Sequence, residues 1–202
     1  LIEGRIYNNT ISNTGREAIL VGQNTANTAI EDNNVSNGQF GIYLIDNVIN
    51  VTVSNNFLEG NQYGGIFLNR AYDSRVINNT ILNTTNGDGI YIWNVTEVRI
   101  ENNTIVGSKY EGIWAQYMHN STITNNNLED NAYGGVSIVN SESTTISNNR
   151  ISGFSGIWAE TSVGISILNN QIFRGNEGIA LSRGTHYSII EDNLVISNEK
   201  GF

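Results

Sequence analysis

Polar and apolar positions in this chain recur in one short phrase: apolar, any, Asn or Asp, Asn, any, apolar. Nine copies start at Ile6, Ile30, Val53, Val76, Ile100, Ile123, Ile146, Ile167 and Ile190, the plainest being Ile-Glu-Asn-Asn-Thr-Ile at 100–105. The second polar position is Asn in every copy: Asn9, Asn33, Asn56, Asn79, Asn103, Asn126, Asn149, Asn170 and Asn193. Successive asparagines lie 24, 23, 23, 24, 23, 23, 21 and 23 residues apart, a period in the range of solenoids.

A second phrase falls once in each repeat. Gly-Ile-x-Leu or a variant stands at 41–44, 65–68, 89–92, 112–115, 135–138, 156–159 and 178–181, and Ala-Ile-Leu-Val takes its place at 18–21. These runs alternate apolar and variable residues, the period of a strand with one buried face. No stretch keeps helical spacing long enough to compete. Each repeat therefore predicts three short strands: one entering the Asn pair, one leaving it, and the Gly-Ile strand. With no helix to cross over, each strand stacks on its counterpart one coil on, giving three parallel sheets around a narrow apolar core. Parallel crossovers are overwhelmingly right-handed, so the expected fold is all-β, a right-handed parallel solenoid of about nine coils of about 23 residues. At roughly 4.8 Å per coil it forms a rod about 40 Å long.

Two inward columns follow. One is the set of nine residues that begin the repeats; the other is Ile11, Val35, Leu58, Ile81, Ile105, Leu128, Ile151, Ile172 and Val195. Branched aliphatics suit stacked pleated strands. Between the columns the chain must turn sharply, and a left-handed backbone is tolerated best by Gly and next by Asn. An Asn amide also donates to and accepts from the amides above and below, so the nine asparagines are expected to form one internal ladder.

The three-strand coil and the asparagine ladder resemble the right-handed parallel β-helix of pectate lyases. The repeat itself resembles the short β-helix repeats of carbohydrate-binding and sugar-hydrolase domains, NosD-like periplasmic and archaeal surface proteins among them. The resemblance spans the whole chain and implies a fold; one fold hosts many activities. The Asp-Pro-His motif associated with mannuronan epimerases is absent, as is any proline. No Asn-Thr-Asp, Asp-Asp and Arg-Ile-Lys set of the polygalacturonase kind occurs, and pectate-lyase catalytic residues cannot be carried over by position.

Composition narrows the partners. The chain of 202 residues, 39% apolar, has no composition shift or linker, so residues 1–202 read as one domain. It has no cysteine for a disulfide or thiolate metal site, and no apolar run of membrane-spanning length. A net charge of -9 argues against nucleic-acid backbones and anionic membranes; a neutral or cation-bridged polysaccharide is easier to accommodate. The chain starts at Leu1, and Gly201-Phe202 begins a tenth coil. Solenoids normally carry caps, and none is legible at either end, which predicts flanking coils or domains and open edges suited to self-association. Eight N-x-S/T sequons, at Asn8, Asn34, Asn50, Asn78, Asn83, Asn94, Asn102 and Asn120, are what a repeat built on Asn-Asn-Thr produces by itself. Ile2-Glu3-Gly4-Arg5 resembles a protease site used in expression vectors, but Arg5 falls in register with Arg75 and Arg99 and is read as native.

Candidate chemistry sits beside the Gly-Ile strand. Its outward positions are Leu20, Tyr43, Phe67, Tyr91, Trp114, Ser137, Trp158 and Ala180, five of them aromatic, and Trp93 points the same way as Tyr91. Aromatic faces stack on the C–H faces of sugars, so Tyr43, Phe67, Tyr91, Trp93, Trp114 and Trp158 are candidate substrate-binding residues of a polysaccharide groove. Aromatics in parallel strands also stack on one another, and that alternative stays open. Phe40, Tyr63, Tyr110, Tyr133 and Phe154 just before the glycines would wall the groove or fill corners.

Asp88 and Glu111 precede the glycines of adjacent coils and should lie roughly 5 Å apart, with Lys109 two residues from Glu111. Such a pair could act as acid and base, match a retaining glycosidase, or hold Ca²⁺ while Lys109 serves as base in β-elimination. An exposed acidic patch relieved by a lysine is the plain alternative. Asp73, Arg75, Glu97, Arg99 and Glu101 form a second outward cluster, expected to be a surface ion-pair lattice. His119 and His186 sit in different coils, which argues against a histidine metal site or triad. Three functions remain in view: an extracellular, cell-surface or periplasmic polysaccharide-binding β-helix; a polysaccharide lyase, epimerase or glycoside hydrolase; and a structural surface-layer or filament protein.

Overall fold

The computed structural model describes residues 3–196 and Gly201; Leu1, Ile2 and Phe202, named above, lie outside them. Every regular element among the described residues is a strand, and the strands pair in parallel with their counterparts one coil away.

Both inward columns form in the predicted register. On the face leaving the Asn pair, nine strands stack in chain order from Thr10–Ser12 to Leu194–Ile196. Ile11, Val35, Leu58, Ile81, Ile105, Leu128, Ile151, Ile172 and Val195 are successive partners there. On the entering face the column runs without a slip from Ile6 to Ile190. The middle of each column is fully buried, while Ile6, Ile11 and Val195 are only partly so and Ile190 is 37% exposed at the last coil. Nine copies of the repeat thus bracket eight complete turns.

The three expected rows of parallel strands form, and two of them are joined at one corner. The strand Phe40–Ser54 runs unbroken round a corner, pairing with Gly64–Tyr72 at one end and Arg75–Ile77 at the other. It joins the Gly-Ile strands and the entering strands into one 16-stranded sheet. A register shift between Ile45 and Val48 absorbs the bend. Beyond the last long strands, single bridges His119–Glu142–Val163–His186 continue the pairing at that corner. The Gly-Ile strands are also longer than their four-residue signature: Gly64–Tyr72, Asp88–Thr96 and Glu111–His119 each have nine residues. They pass a left-handed residue, Arg70, Asn94 or Tyr117, and then bury Ala71, Val95 or Met118.

The asparagine ladder is continuous. Nδ2 of each ladder asparagine donates to Oδ1 of the next, through all nine from Asn9 to Asn193, at 2.8–3.0 Å. The backbone N–H of each donates to the same Oδ1. The second amide proton goes to main-chain carbonyls, as Asn103 Nδ2 does to Val76 O and Glu101 O. One expectation is corrected: the left-handed backbone does not belong to these asparagines. It belongs to the residue before each, Asn8, Asp32, Asn55, Asn78, Asn102, Asn125, Asn148, Asn169 and Asp192, all with φ between 55° and 57°. The turn therefore needs two different residues. The first must tolerate the αL region, which Asn and Asp both do. The second must donate and accept at once, which Asp cannot.

Candidate functional site

The outward residues of the Gly-Ile strands form one column in register: Leu20, Tyr43, Phe67, Tyr91, Trp114, Ser137, Trp158 and Ala180. Strand geometry sets the ring spacing. Tyr43 and Phe67 stack at 4.6 Å between centroids and 18°, and Tyr91 and Trp114 at 4.8 Å and 10°; Phe67 and Tyr91 meet at 4.5 Å, tilted by 59°. Trp93 lies 6.4 Å from Trp114, nearly parallel, and edge-on to Tyr117. The rings of Tyr43, Phe67, Tyr91 and Trp114 thus spend faces on one another and turn their edges outward. The self-stacking that the sequence left open thus occurs along this column, in Tyr43–Phe67 and Tyr91–Trp114. Burial raises the phenol pKa of Tyr43 and Tyr91, helped at Tyr91 by the Asp88 charge.

Phe40 joins this stack, 5.1 Å from Tyr43 and 5.6 Å from Phe67. The other pre-glycine aromatics stay outside the corners: Tyr63, Tyr110, Tyr133 and Phe154 are 37–59% exposed. They flank the column rather than fill the turns.

Asp88 and Glu111 are brought together. The Glu111 backbone N–H donates to Asp88 Oδ1 at 3.0 Å, and the two side chains share a hydrogen bond. Asp88 is buried, at 8% exposure. Desolvation first, and the Glu111 charge second, push its pKa up to about 8. Burial and the neighbouring carboxylate thus favour the protonated form of Asp88, while Glu111 also accepts from Ser137 Oγ at 3.2 Å. A shared hydrogen bond is tighter than the separation at which two carboxyls bracket a glycosidic bond, and resembles a dyad sharing one proton. Lys109 is exposed and makes no ion pair with Glu111. No group of three or more His, Asp or Glu able to hold a metal occurs among the described residues, so Ca²⁺ at Asp88 and Glu111 would have two side-chain ligands.

The second cluster does not form its lattice. Arg75 and Arg99 are direct cross-strand partners and exposed, and neither pairs with Asp73, Glu97 or Glu101. Asp73 and Glu97 instead occupy left-handed corner positions before the strand row. His119 lies 3.9 Å from Glu142 and has no second histidine beside it.

Two sets of residues that shape this face carried no weight in the sequence reading. The first is the glycine column itself. A Cβ on Gly89 would run into Ile105 Cγ2 and stand 2.7 Å from the Gly112 carbonyl oxygen; Gly65 and Gly135 meet Ile81 and Ile151 in the same way. These glycines let the aromatic strand close onto the opposite sheet. The second is two serine rows: Ser74 and Ser121 accept the N–H of Val51 and Val98 from the preceding coil, and Ser141 and Ser162 accept those of Met118 and Ser141. The fixed place of Ser74 and Ser121 directly before an entering strand was the available signal.

The profile described as "right handed beta helix region" matches residues 3–81 and 64–202. The chain belongs to the right-handed β-helix family. Its coil therefore winds with the hand expected from parallel crossovers. Solved β-helices share the fold at low identity. The periplasmic alginate epimerase AlgG superposes with a TM-score of 0.80 at 16% identity, covering 94% of this chain and 58% of that one. The enzymatically active domain of bacteriophage CBA120 tailspike protein 2 gives 0.80 at 12%, covering 96% and 38%. The A-module of Azotobacter vinelandii mannuronan C-5 epimerase AlgE4 gives 0.68 at 17%, covering 94% and 71%. This β-helix thus spans little more than half of AlgG and about two fifths of the tailspike domain. No curated protein sequence matches it.

Proposed function

We propose that the chain engages an extended polysaccharide along the face carrying Tyr43, Phe67, Tyr91, Trp93, Trp114 and Trp158. The observation that carries this reading is the unbroken column Tyr43, Phe67, Tyr91, Trp114, one ring per coil in four successive coils. It makes an apolar strip along the rod, repeating at a rise comparable to one sugar unit, and covering such a strip with the C–H surface of a polymer is favourable. Structural neighbours described as epimerases of alginate and mannuronan support a polysaccharide as partner. Such a role belongs outside the cytoplasm, extracellular or periplasmic, as one neighbour's description as periplasmic also suggests. The test is migration of the purified chain through native gels containing neutral or acidic polysaccharides, with and without Ca²⁺. Retardation by at least one polymer, weakened in Trp114→Ala, is expected; free migration through all of them would end the reading.

One observation favours a second reading, acid–base catalysis on the bound polymer as a lyase, epimerase or hydrolase. Perturbed carboxyls gather at functional sites, and Asp88, pushed up to about 8 beside the stack, is the most perturbed group described here. Protonated Asp88 would be the proton donor and Glu111 the acceptor; Lys109 has no contact that gives it a part. Absorbance from unsaturated products, or a changed sugar epimer ratio by NMR, lost in both Asp88→Asn and Glu111→Gln, would establish it. Polymer binding without either product would reject it.

A further inference from the structure

The aromatic column is interrupted once between two tryptophans, half-buried Trp114 and exposed Trp158, at Ser137, which is the register partner of both. N-terminal to the gap every ring has a ring neighbour, stacked in Tyr43–Phe67 and Tyr91–Trp114 and tilted by 59° in Phe67–Tyr91. Trp114 stacks on Tyr91 with one face and turns the other toward Ser137. Trp158 is 43% exposed and its next partner is Ala180, so no ring covers it. Its indole is pinned by a hydrogen bond from Nε1 to Ser182 Oγ at 2.9 Å. Two coil rises separate the indoles, about 10 Å. That leaves room for one pyranose ring between the two indoles, with Ser137 as the floor.

The walls decide which sugar. Glu111 and Glu160 line this depression together with both tryptophans. Ser137 Oγ donates to Glu111 Oε1 and fixes that carboxylate at the floor. Glu160 is oriented and its charge offset by Arg183 at 3.0 Å, whereas Glu111 has no ion pair among the described residues and brings the uncompensated charge. Ionised carboxylates only accept hydrogen bonds. The slot therefore offers acceptors to hydroxyl groups and places negative charge against any uronate. On the opposite side the depression continues under Tyr133 and Phe154, which leaves space for the neighbouring units of a chain.

We infer that Trp114, Ser137 and Trp158 form a subsite that clamps a single neutral pyranose unit of a polysaccharide, oriented by Glu111 and Glu160 and selective against uronic acids. This rests on the polysaccharide reading above and narrows it to one place and one sugar class.

The test uses galactomannan and mixed-linkage glucan as neutral polymers, and alginate and polygalacturonate as uronate polymers, in affinity gels. Two variants accompany the wild type. Ser137→Tyr completes the column, filling the slot with a ring that stacks as Tyr91 does, and its thermal midpoint should equal or exceed that of the wild type. Trp158→Ala removes one wall at an exposed position. The expected result is retardation of the wild type by a neutral polymer and not by the uronates, with retention weakened roughly tenfold or more in both variants. If a neutral polymer retards the wild type and Ser137→Tyr equally, the slot is overturned while the polysaccharide reading stands. Retardation by uronates alone overturns the slot in the same way. Free migration in every polymer overturns both.

Discussion

The backbone N–H of Glu111 donates to Oδ1 of Asp88 at 3.0 Å, across two adjacent coils. That bond holds the two carboxyls together when Coulomb repulsion would part them, and burial then makes it costly to ionise both. The burden falls on Asp88, whose pKa moves from an ordinary carboxyl value up to about 8. An acid whose folded pKa lies above its unfolded value keeps more protons folded than unfolded between the two. Its contribution to stability is therefore whole below about pH 4 and is lost as pH rises towards about 8.

Asp88→Asn should remove that loss. The amide mimics the protonated acid: Oδ1 still accepts from Glu111 N–H, and Nδ2 donates to the Glu111 carboxylate. The variant and the wild type should unfold at similar urea concentrations near pH 4. By pH 9 the variant should be the more stable, by on the order of a few kcal/mol. Parallel urea curves across the pH range would show no pH-dependent gap if Asp88 titrates normally.

The two residues of each Asn turn should respond oppositely. Asn103→Asp replaces a donor to Val76 O, Glu101 O and Asn126 Oδ1 by an acceptor, burying negative charge among carbonyl oxygens; a loss of about 3 kcal/mol or more is expected. Asn102→Gly, at φ 55°, removes a side chain from a conformation glycine adopts freely, and should stay within about 1 kcal/mol of the wild type. Chemical denaturation of both variants checks the division; equal costs would contradict it.

The turn also shows what was legible in the sequence and what was not. A period of about 23 residues and the alternation around Ile100 and Ile105 fixed the coil, the register and the ladder, because a one-residue slip would turn a whole inward column to solvent. The same alternation placed Tyr91 and Trp114 on one outward row, but not their ring planes, which depend on rotamers set by the neighbours one coil away. It placed Asp88 beside Glu111, but the protonation of Asp88 depends on burial that no local pattern encodes. The continuous strand Phe40–Ser54 was hidden because the left-handed pair Asp46 and Asn47 sits in a register shift, and only the pairing of Ile45 and Val48 on either side of it carries the strand through.

Gly89→Ala should be more costly than the addition of one methyl group suggests, because Gly89 is buried near the start of the strand Asp88–Thr96. The added Cβ meets Ile105 Cγ2 and the Gly112 carbonyl oxygen, and overpacking of this kind costs about 1–3 kcal/mol. Ile105→Ala, which removes that methyl, should relieve part of the clash. The double variant should then be less destabilised than the sum of the two singles, measured in a double-mutant cycle by urea unfolding. Simple additivity would mean that the glycine column does not set the distance between the two sheets.

Ring faces used for packing and ring faces left open should separate in stability as well as in binding. Tyr91 is held between Phe67 at 4.5 Å and Trp114 at 4.8 Å, so Tyr91→Ala opens a gap inside the stack and should cost about 2–4 kcal/mol. Trp158 is the larger residue, but 43% exposed with a single hydrogen bond to Ser182, and Trp158→Ala should cost only about 1 kcal/mol. The order is the reverse of side-chain size. Urea midpoints for the two variants decide it: if Trp158→Ala were as damaging as Tyr91→Ala, Trp158 would belong to the packed stack, and its exposed faces could not be spared for a ligand.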